Sequence, residues 1–421
     1  MIRTTNHTLK FSNTNKLNKL QEFISEYRRV SGLILDQIWE NGYKWEVKNK
    51  NYEFNVNENK LDHPKFIDYN SFDIKTNLSA RALSSLVTQL CGIIGASVEK
   101  QRKRLYQWEK TPNSQLEKKI EQNKPQKPDI SKLNPELSSK CVDIEKVEGE
   151  FNYFVRLKSI GKDYGFIKLP VKLHKHNKKY KDWELKNSFL LNENWINFRW
   201  ETKVEKKQNG IVVGCDQGKK DVVTLSNGIV PPKTNLHGKS LDSIMLSLSK
   251  CKKGSKRFQK KQQERKNFIN WSINRLNLSE VKQVNLEKVW NINFKSKTSR
   301  LMSHWTNTLI RDKLLSTCEL HGVHVKEQSC TYRSQRCSCC GMVRKSQRKS
   351  KLYKCKECGS EIDSDLNAAL NHEIELPDIP WELRREQRNR KGFYWLESGF
   401  FDLNRVEFRV PLTKNQDKSN I

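Results

Sequence analysis

Two cysteine pairs, Cys337-x-x-Cys340 and Cys355-x-x-Cys358, lie near the C-terminal end, each followed by a glycine, Gly341 and Gly359. Four thiolates at this spacing suit tetrahedral Zn²⁺ in a closed structural site. A glycine after each pair permits the positive-φ turn that wraps the thiolates around an ion. The plainer alternative is four buried thiols without metal. Cys339 falls outside the C-x-x-C-G register and is left out of the ligand set, and Cys330 reads as structural. Between the pairs stand Arg344, Lys345, Arg348, Lys349, Lys351 and Lys354, which read either as a finger contacting phosphates or as a solvated loop.

A second chemistry belongs to carboxylates. Asp216 ends the apolar run "IVVGCD", Glu287 ends "VKQVNLE", and Asp365 lies in "DSDLNAALNHEI", just after the second cysteine pair. A carboxylate at the C-terminal end of a buried strand points into the crevice above the sheet. Three acids from separate elements could converge on hard divalent ions such as Mg²⁺, leaving room for phosphates and water. Two such ions activate an attacking water and stabilise a leaving 3′ oxygen. Each acid also has a plain alternative: Asp216 capping a turn, Glu287 pairing with a basic helix, Asp365 favouring a helix dipole. Asp363 reads as the N-cap of the helix that Asp365 opens. The cysteine pairs then sit at the rim of an acid site, as an insertion between the last strand and the last helix.

These side chains need elements to hold them. From Lys16 to Trp39 the residues Leu17, Leu20, Phe23, Ile24, Tyr27, Val30, Leu33, Ile34 and Ile38 recur at steps of three and four, predicting an amphipathic helix. Residues 42–66 are polar and Asn-rich and read as a long loop or insertion. A second helix is predicted over Leu78 to Trp108, and the prolines within 110–136 mark a linker. Short strand-like runs at 140–145, 151–158, 165–170 and 194–204 suggest a small β-barrel or sheet, closing with a strand at 2–11. After Gly210 come a strand at 211–216, a hairpin with a type I′ turn at Asn227-Gly228, a basic helix at 251–276, a strand at 281–287, a helix at 301–320 and a strand at 322–327. That order is RNase H-like, with parallel strand pairing implied by the helical crossovers.

Composition sets the partners. The chain has 421 residues, 35% of them hydrophobic, enough for a sizeable core and roughly two to four domains. Its 79 Lys+Arg outnumber 48 Asp+Glu, a net charge of +31 that calls for a polyanion. Nucleic acid is the natural one, because each neutralised phosphate releases a counterion. No run approaches the roughly 20 apolar residues of a membrane span, and "MIRTTNHTLKF" lacks the apolar core of a secretion signal. A cytoplasmic protein with no membrane partner is expected, where eleven cysteines favour metal over disulfide.

At these residues the chain resembles a known family. "GIVVGCDQG" and "VNLEKV" resemble the first and second RuvC motifs. "YRSQRCSCCG", "CKECG" and "DSDLNAALN" resemble the zinc ribbon and third RuvC motif of TnpB, the transposon-encoded RNA-guided nuclease, an organisation shared by the miniature type V CRISPR effectors. "KKGSKRFQKKQQERKN" is similar to the family's basic helix after the first motif, and "NLSARAL" to part of its N-terminal half. The sequence departs from the family pattern at Gln217, Arg333 and His372, none of them a catalytic acid.

The resemblance implies a multidomain α+β protein. Its parts are a wedge-like β-barrel (1–12 and 137–206), a helical recognition lobe (13–136), an RNase H-like RuvC nuclease domain (207–329 and 359–372), an inserted zinc ribbon for target nucleic acid (330–358), and a tail (373–421) without an assigned role. It implies a bound guide RNA and double-stranded target DNA, recognition of a short adjacent motif, and Mg²⁺-dependent hydrolysis at one RuvC site. It assigns Asp216, Glu287 and Asp365 as catalytic magnesium ligands and Cys337, Cys340, Cys355 and Cys358 as zinc ligands. The protein would act as a monomer or an RNA-bound homodimer. Compact length favours the transposon type over the CRISPR type. The alternatives are a nuclease-inactive RNA-guided repressor, which would be expected to lack one of the acids, and a guide-free RuvC-type nuclease such as a junction resolvase.

Overall fold

The structure, a computed structural model, describes residues 1–48, 51–56, 72, 74–110, 114, 117–118, 127–218, 221–289 and 307–408. The chain divides into two compact units, Met1–Thr202 and Lys203–Ile421.

The first unit opens with β1 (Ile2–Thr8) and α1 (Thr14–Gly42), followed by β2 (Tyr43–Lys48), β3 (Asn51–Val56) and α2 (Ala80–Lys110). α1 forms because its apolar residues repeat with the helical period. Leu20, Phe23, Ile24, Tyr27, Val30 and Ile34 are all buried, while Leu33, expected on that face, is 41% exposed and Leu35 takes the inner place. The expected long loop after α1 is corrected in part: β2 and β3 pair as an antiparallel hairpin, and the remainder of 42–66 lies outside the described residues. Of the expected linker at 110–136, residues 110, 114, 117–118 and 127–136 are described, and the others lie outside the described residues.

Seven further strands follow: β4 (Glu136–Ser138), β5 (Val142–Lys146), β6 (Tyr153–Leu157), β7 (Ile167–Val171), β8 (Glu184–Leu185), β9 (Ser188–Leu191) and β10 (Trp195–Glu201). The first strand joins them as expected, β1 pairing antiparallel along β10 from Ile2↔Glu201 to Thr8↔Trp195. The sheet order is β1-β10-β9-β4 with β8 also on β10, and β5-β6-β7 make a second sheet. Among the described residues these remain two separate sheets and no closed barrel forms. One apolar core joins both sheets to α1 and α2, with Trp200, Tyr27, Phe23 and Phe198 its largest fully buried members.

The second unit carries the acids and the thiols. Its central sheet has the order β12-β11-β13-β14, from β11 (Ile211–Asp216), β12 (Thr224–Leu225), β13 (Val281–Lys288) and β14 (His324–Ser329). β11, β13 and β14 are parallel and β12 is antiparallel to β11. The expected type I′ turn is not formed: at Asn227-Gly228 only Gly228 has positive φ, and the Gly228 N–H bonds to the Leu225 carbonyl one residue earlier than that turn requires.

Helices α3 (Leu241–Ser249), α4 (Lys256–Ile273) and α5 (Asn307–Leu320) supply the crossovers. α3 was not anticipated, although Ser240 forms a reciprocal cap with Ser243 and Leu241, Ile244, Met245 and Leu248 repeat at helical spacing. Val213, Cys215, Val284, Leu286, Phe268, Ile269, Ile310 and Leu314 are buried together between sheet and helices.

The last elements are β15 (Met342–Val343), β16 (Arg348–Lys349), β17 (Leu352–Lys354), β18 (Glu361–Asp363), α6 (Ser364–Glu373), α7 (Trp381–Arg385), β19 (Phe393–Leu396) and β20 (Gly399–Phe401). The described part of the tail does not trail away: β19 pairs with β15 of the cysteine segment and with β20. None of the helices described is long and apolar enough to cross a membrane.

Candidate active site and metal clamp

β11 is apolar because both its faces are covered, and it delivers Asp216 at its C-terminal end with 8% exposure. Gly214 lies directly under α6: a Cβ there would stand 1.9 Å from the Ala369 carbonyl oxygen. That close approach brings the start of α6 to the strand end. β13 runs in parallel register, with Cys215 level with Leu286, so Glu287 emerges on the same crevice. The Gln217 side chain donates to the Glu287 carbonyl at 3.0 Å and ties the two strand ends together.

Asp363 caps α6, its Oδ1 accepting from the N–H groups of Asp365 at 2.9 Å and Leu366 at 3.1 Å. That cap leaves the Asp365 carboxylate free to face the crevice, where it is 5% exposed.

The three acids sense one another. Burial pushes the Asp216 carboxyl well above the usual range, and the charges of Glu287 and Asp365 push it further, against the pull of Arg348 and Lys351. Burial raises Glu287 to about 7, opposed by the Gln217 backbone N–H and the Arg348 charge. A crevice that holds its carboxylates this unfavourably is short of positive charge. Two cations already answer that shortage. The Arg348 guanidinium pairs with Asp365 Oδ1 at 3.1 Å, and the Lys351 ammonium contacts Asp365 Oδ2 and, at 2.7 Å, Asp221 Oδ2.

Of the cations between the cysteine pairs, Arg348 and Lys351 pair with acids of the crevice, and Lys354 pairs with Glu361 at the surface. Asp221 went unnoticed in the sequence. It is 6% exposed, and Lys233 lies 3.5 Å from its Oδ1 without making a hydrogen bond. Nothing in "DQGKKD" distinguishes it from a surface turn residue.

The thiols are drawn together more tightly. Cys337 and Cys358 Sγ are 3.7 Å apart, and Cys340 and Cys355 Sγ 3.6 Å. Thiolates about 2.3 Å from a tetrahedral ion stand about 3.8 Å from each other, so the four fit zinc. Among the described residues these four, and not the three acids, form a group of ligand atoms all within 4.8 Å of one another. Cys339 lies outside the group, as its register predicts. Both knuckle glycines adopt positive φ, +77° at Gly341 and +74° at Gly359. Burial pushes the Cys337 thiol up to about 11, so filling the site would release protons.

Clamp and acid site are stitched together. Asn367 and Asn371, one helical turn apart on α6, face the first knuckle. Asn371 Nδ2 donates to the carbonyls of Arg333 (3.1 Å) and Arg336 (2.8 Å), and Asn367 donates to Arg336 O at 2.8 Å and accepts from Ser338 N at 2.9 Å. On the other side, the Ser364 N–H and hydroxyl bond to the carbonyls of Lys351 (2.8 Å) and Ser350 (3.0 Å). The sequence assigned no role to these two asparagines, although their i, i+4 spacing beside the cysteines is a readable signal.

Comparisons with known proteins show what the chain is similar to. Residues 309–372 match the family described as Cas12f1-like, TNB domain. Over 88 residues, 21% of the chain, the sequence is 35% identical to the CRISPR-associated endodeoxyribonuclease Cas12f1 of Sulfoacidibacillus thermotolerans, and covers 20% of that protein. The protein of the same name from Syntrophomonas palmitatica is 34% identical over 62 residues, 14% of this chain and 12% of the relative. The alignments thus span a fifth or less of these curated relatives.

The fold is similar to that of the Cas12f1–sgRNA–target DNA complex, with a TM-score of 0.51 and 15% identity over 85% of this chain and 81% of that one. It is also similar to the mini-RNA-guided endonuclease CRISPR-Cas_phi3, with a TM-score of 0.52 and 9% identity over 88% and 92%. At such identities the likeness is one of fold. It makes the chain a multidomain α+β protein similar to the miniature type V effectors, with which the TnpB resemblance is consistent.

Proposed function

We propose that the chain is an RNA-guided DNA endonuclease that hydrolyses target DNA at one RuvC-like site. The observation that carries this reading is the convergence of Asp216, Glu287 and Asp365, from three separate elements, on one buried crevice of a protein with a net charge of +31. The names of its relatives, CRISPR-associated endodeoxyribonucleases, point to the same chemistry. Guide RNA and double-stranded target DNA are the proposed partners, and the cytoplasm the proposed compartment, where thiols stay reduced.

In this reading the three carboxylates hold divalent magnesium, which when bound supplies an activated water and charge stabilisation at the leaving oxygen. Glu287, raised to about 7, must lose its proton before it can serve as a ligand. Asp363 contributes by aiming α6, and the zinc-filled ribbon by fixing the approach of its hairpin to Asp365. Zinc is structural here, since all four positions are taken by protein sulfurs.

The presence of all three acids favours cutting over the repressor alternative. The test is Mg²⁺-dependent cleavage by the protein purified with its RNA, abolished in Asp216→Ala. A protein that binds its target but never cuts would leave the repressor reading standing. Cleavage without any co-purifying RNA would favour a guide-free nuclease. Sequencing that RNA also separates the two origins: transposon-end sequence for one, repeat-derived sequence for the other.

A further inference from the structure

Lys351 is the only lysine of the cysteine segment whose ammonium reaches two buried carboxylates among the contacts of the described residues, and it reaches them from a fixed hairpin. Ser350, immediately before it, adopts a left-handed φ of 53° that turns β16 into β17. The Ser364 hydrogen bonds hold this turn over the start of α6, so the Lys351 side chain enters the crevice from a clamped backbone. Its side chain is 34% exposed, while Asp221 and Asp365 are 6% and 7% exposed. One ammonium therefore pairs with two inward carboxylates, one of the acid trio and one outside it.

A lysine in contact with Asp365 Oδ2 stands where a hard cation would find that oxygen. Asp365 is engaged by Lys351 and Arg348, and the three acids do not form a ligand group within 4.8 Å among the described residues. Asp221 changes what happens when an ion arrives. An ammonium with a single buried partner would be left uncompensated on eviction, whereas Lys351 would still have Asp221 Oδ2, 2.7 Å away in this structure, as a partner on releasing Asp365. The long, flexible stem of lysine accommodates that change without moving the hairpin.

We propose that Lys351 is a resident counter-cation of the acid site, which a divalent ion must displace from Asp365, and that Asp221 is the positioning residue that receives it. The inference rests on the reading of Asp216, Glu287 and Asp365 as divalent-ion ligands. It turns the ribbon hairpin into a part of the site that limits ion binding in the resting protein, a role distinct from contacting nucleic acid.

The test is Mn²⁺ binding to the full-length protein without nucleic acid, measured by titration calorimetry, counting only binding lost in Asp216→Ala. Lys351→Met is expected to bind Mn²⁺ on the order of tenfold more tightly than the parent. Lys351→Gln, which keeps a polar group, should gain in the same direction, whereas Lys349→Met, on the exposed side of the same hairpin, should gain little. Asp221→Asn is expected to bind more weakly, because Lys351 then has Asp365 alone.

The double variant decides the mechanism. If Asp221 acts through Lys351, Asp221→Asn has no further effect in the Lys351→Met background. Additive effects would make Asp221 a direct ligand or a mere background charge and overturn the proposal. So would Lys351 variants, with normal zinc content and melting temperature, that gain no more than Lys349→Met. Absence of any Asp216-dependent Mn²⁺ binding in parent and variants alike would overturn the ligand reading itself and the proposal with it.

Discussion

The thiol clamp and the acid crevice differ in how complete they are without an ion. The four sulfurs come from one short segment, and they lie as close together as a tetrahedral ion would hold them. The three carboxylates come from two strands and a helix distant in sequence. They sense each other electrostatically but remain further apart, with Arg348 and Lys351 in contact with Asp365. Thiols can crowd before the metal arrives, because protonation removes most of their charge and a neighbouring thiol can share its proton with an ionised one such as Cys358, whose pKa is lowered to about 7. Buried carboxylates cannot do so without protons or counter-cations. The thiol clamp is thus built by local chain geometry, whereas the acid crevice, drawn from distant elements, keeps its carboxylates apart and partly compensated by Arg348 and Lys351.

The contrast breaks most sharply at Glu287. Glu287→Gln is expected to lower cleavage by roughly 10²–10³-fold or more while RNA binding, target binding and zinc content stay unchanged. Retained cleavage would remove Glu287 from the site. The reciprocal change, Cys355→Ser, should lower bound zinc and reduce the melting temperature by roughly 5 °C or more, with cleavage falling because the hairpin over Asp365 loosens. An unchanged metal analysis would count against the four-cysteine assignment.

The charge deficit of the crevice makes a gentler prediction. Glu287 has a folded-state pKa raised to about 7, above its ordinary 4.5, so the folded protein binds the proton more tightly than the unfolded chain does. Its contribution to stability is fully present below about pH 4.5 and is lost as pH rises through about 7. Melting without added divalent ion should therefore weaken over that window, and added Mn²⁺ should offset the loss at the upper end. A profile that Glu287→Gln leaves unaltered would assign the slope to other groups. The smallest effect is expected at Asp363. Asp363→Ala removes an N-cap and should cost about 1 kcal/mol in stability, with cleavage largely retained. A loss of cleavage as deep as that of Glu287→Gln would promote Asp363 from cap to catalytic acid.

Much of this arrangement was legible in the residue order. β11 runs over the residues its apolar pattern predicts, α1 and α2 follow their helical spacing, and Asp363 caps the helix that Asp365 opens. Elements whose signal is only two to four residues long were missed: β4, β8 and β9 exist because neighbouring strands supply their hydrogen bonds. The hairpin after α1 was readable in the alternation of Tyr43, Trp45 and Val47 and of Tyr52, Phe54 and Val56, and was missed because the asparagines and charges between them read as loop. In the site, Asp221, Lys351 and Arg348 were hidden for another reason. A charged residue in a loop looks the same in sequence whether it faces water or a buried partner.

The sequence by itself determined the residue types of the two clusters: thiols in two knuckles with the glycines to turn them, and acids at the ends of apolar strands and at a helix start, in a chain whose charge calls for a polyanion. Those features are local, and short-range geometry and chemistry suffice to specify them. Only the tertiary structure decided that α6 lies on Gly214, that two asparagines fasten the ribbon to it, and that lysine and arginine from the ribbon meet the acids. Those outcomes depend on which surfaces exclude water against each other, and that is a property of the packed chain and not of any one segment.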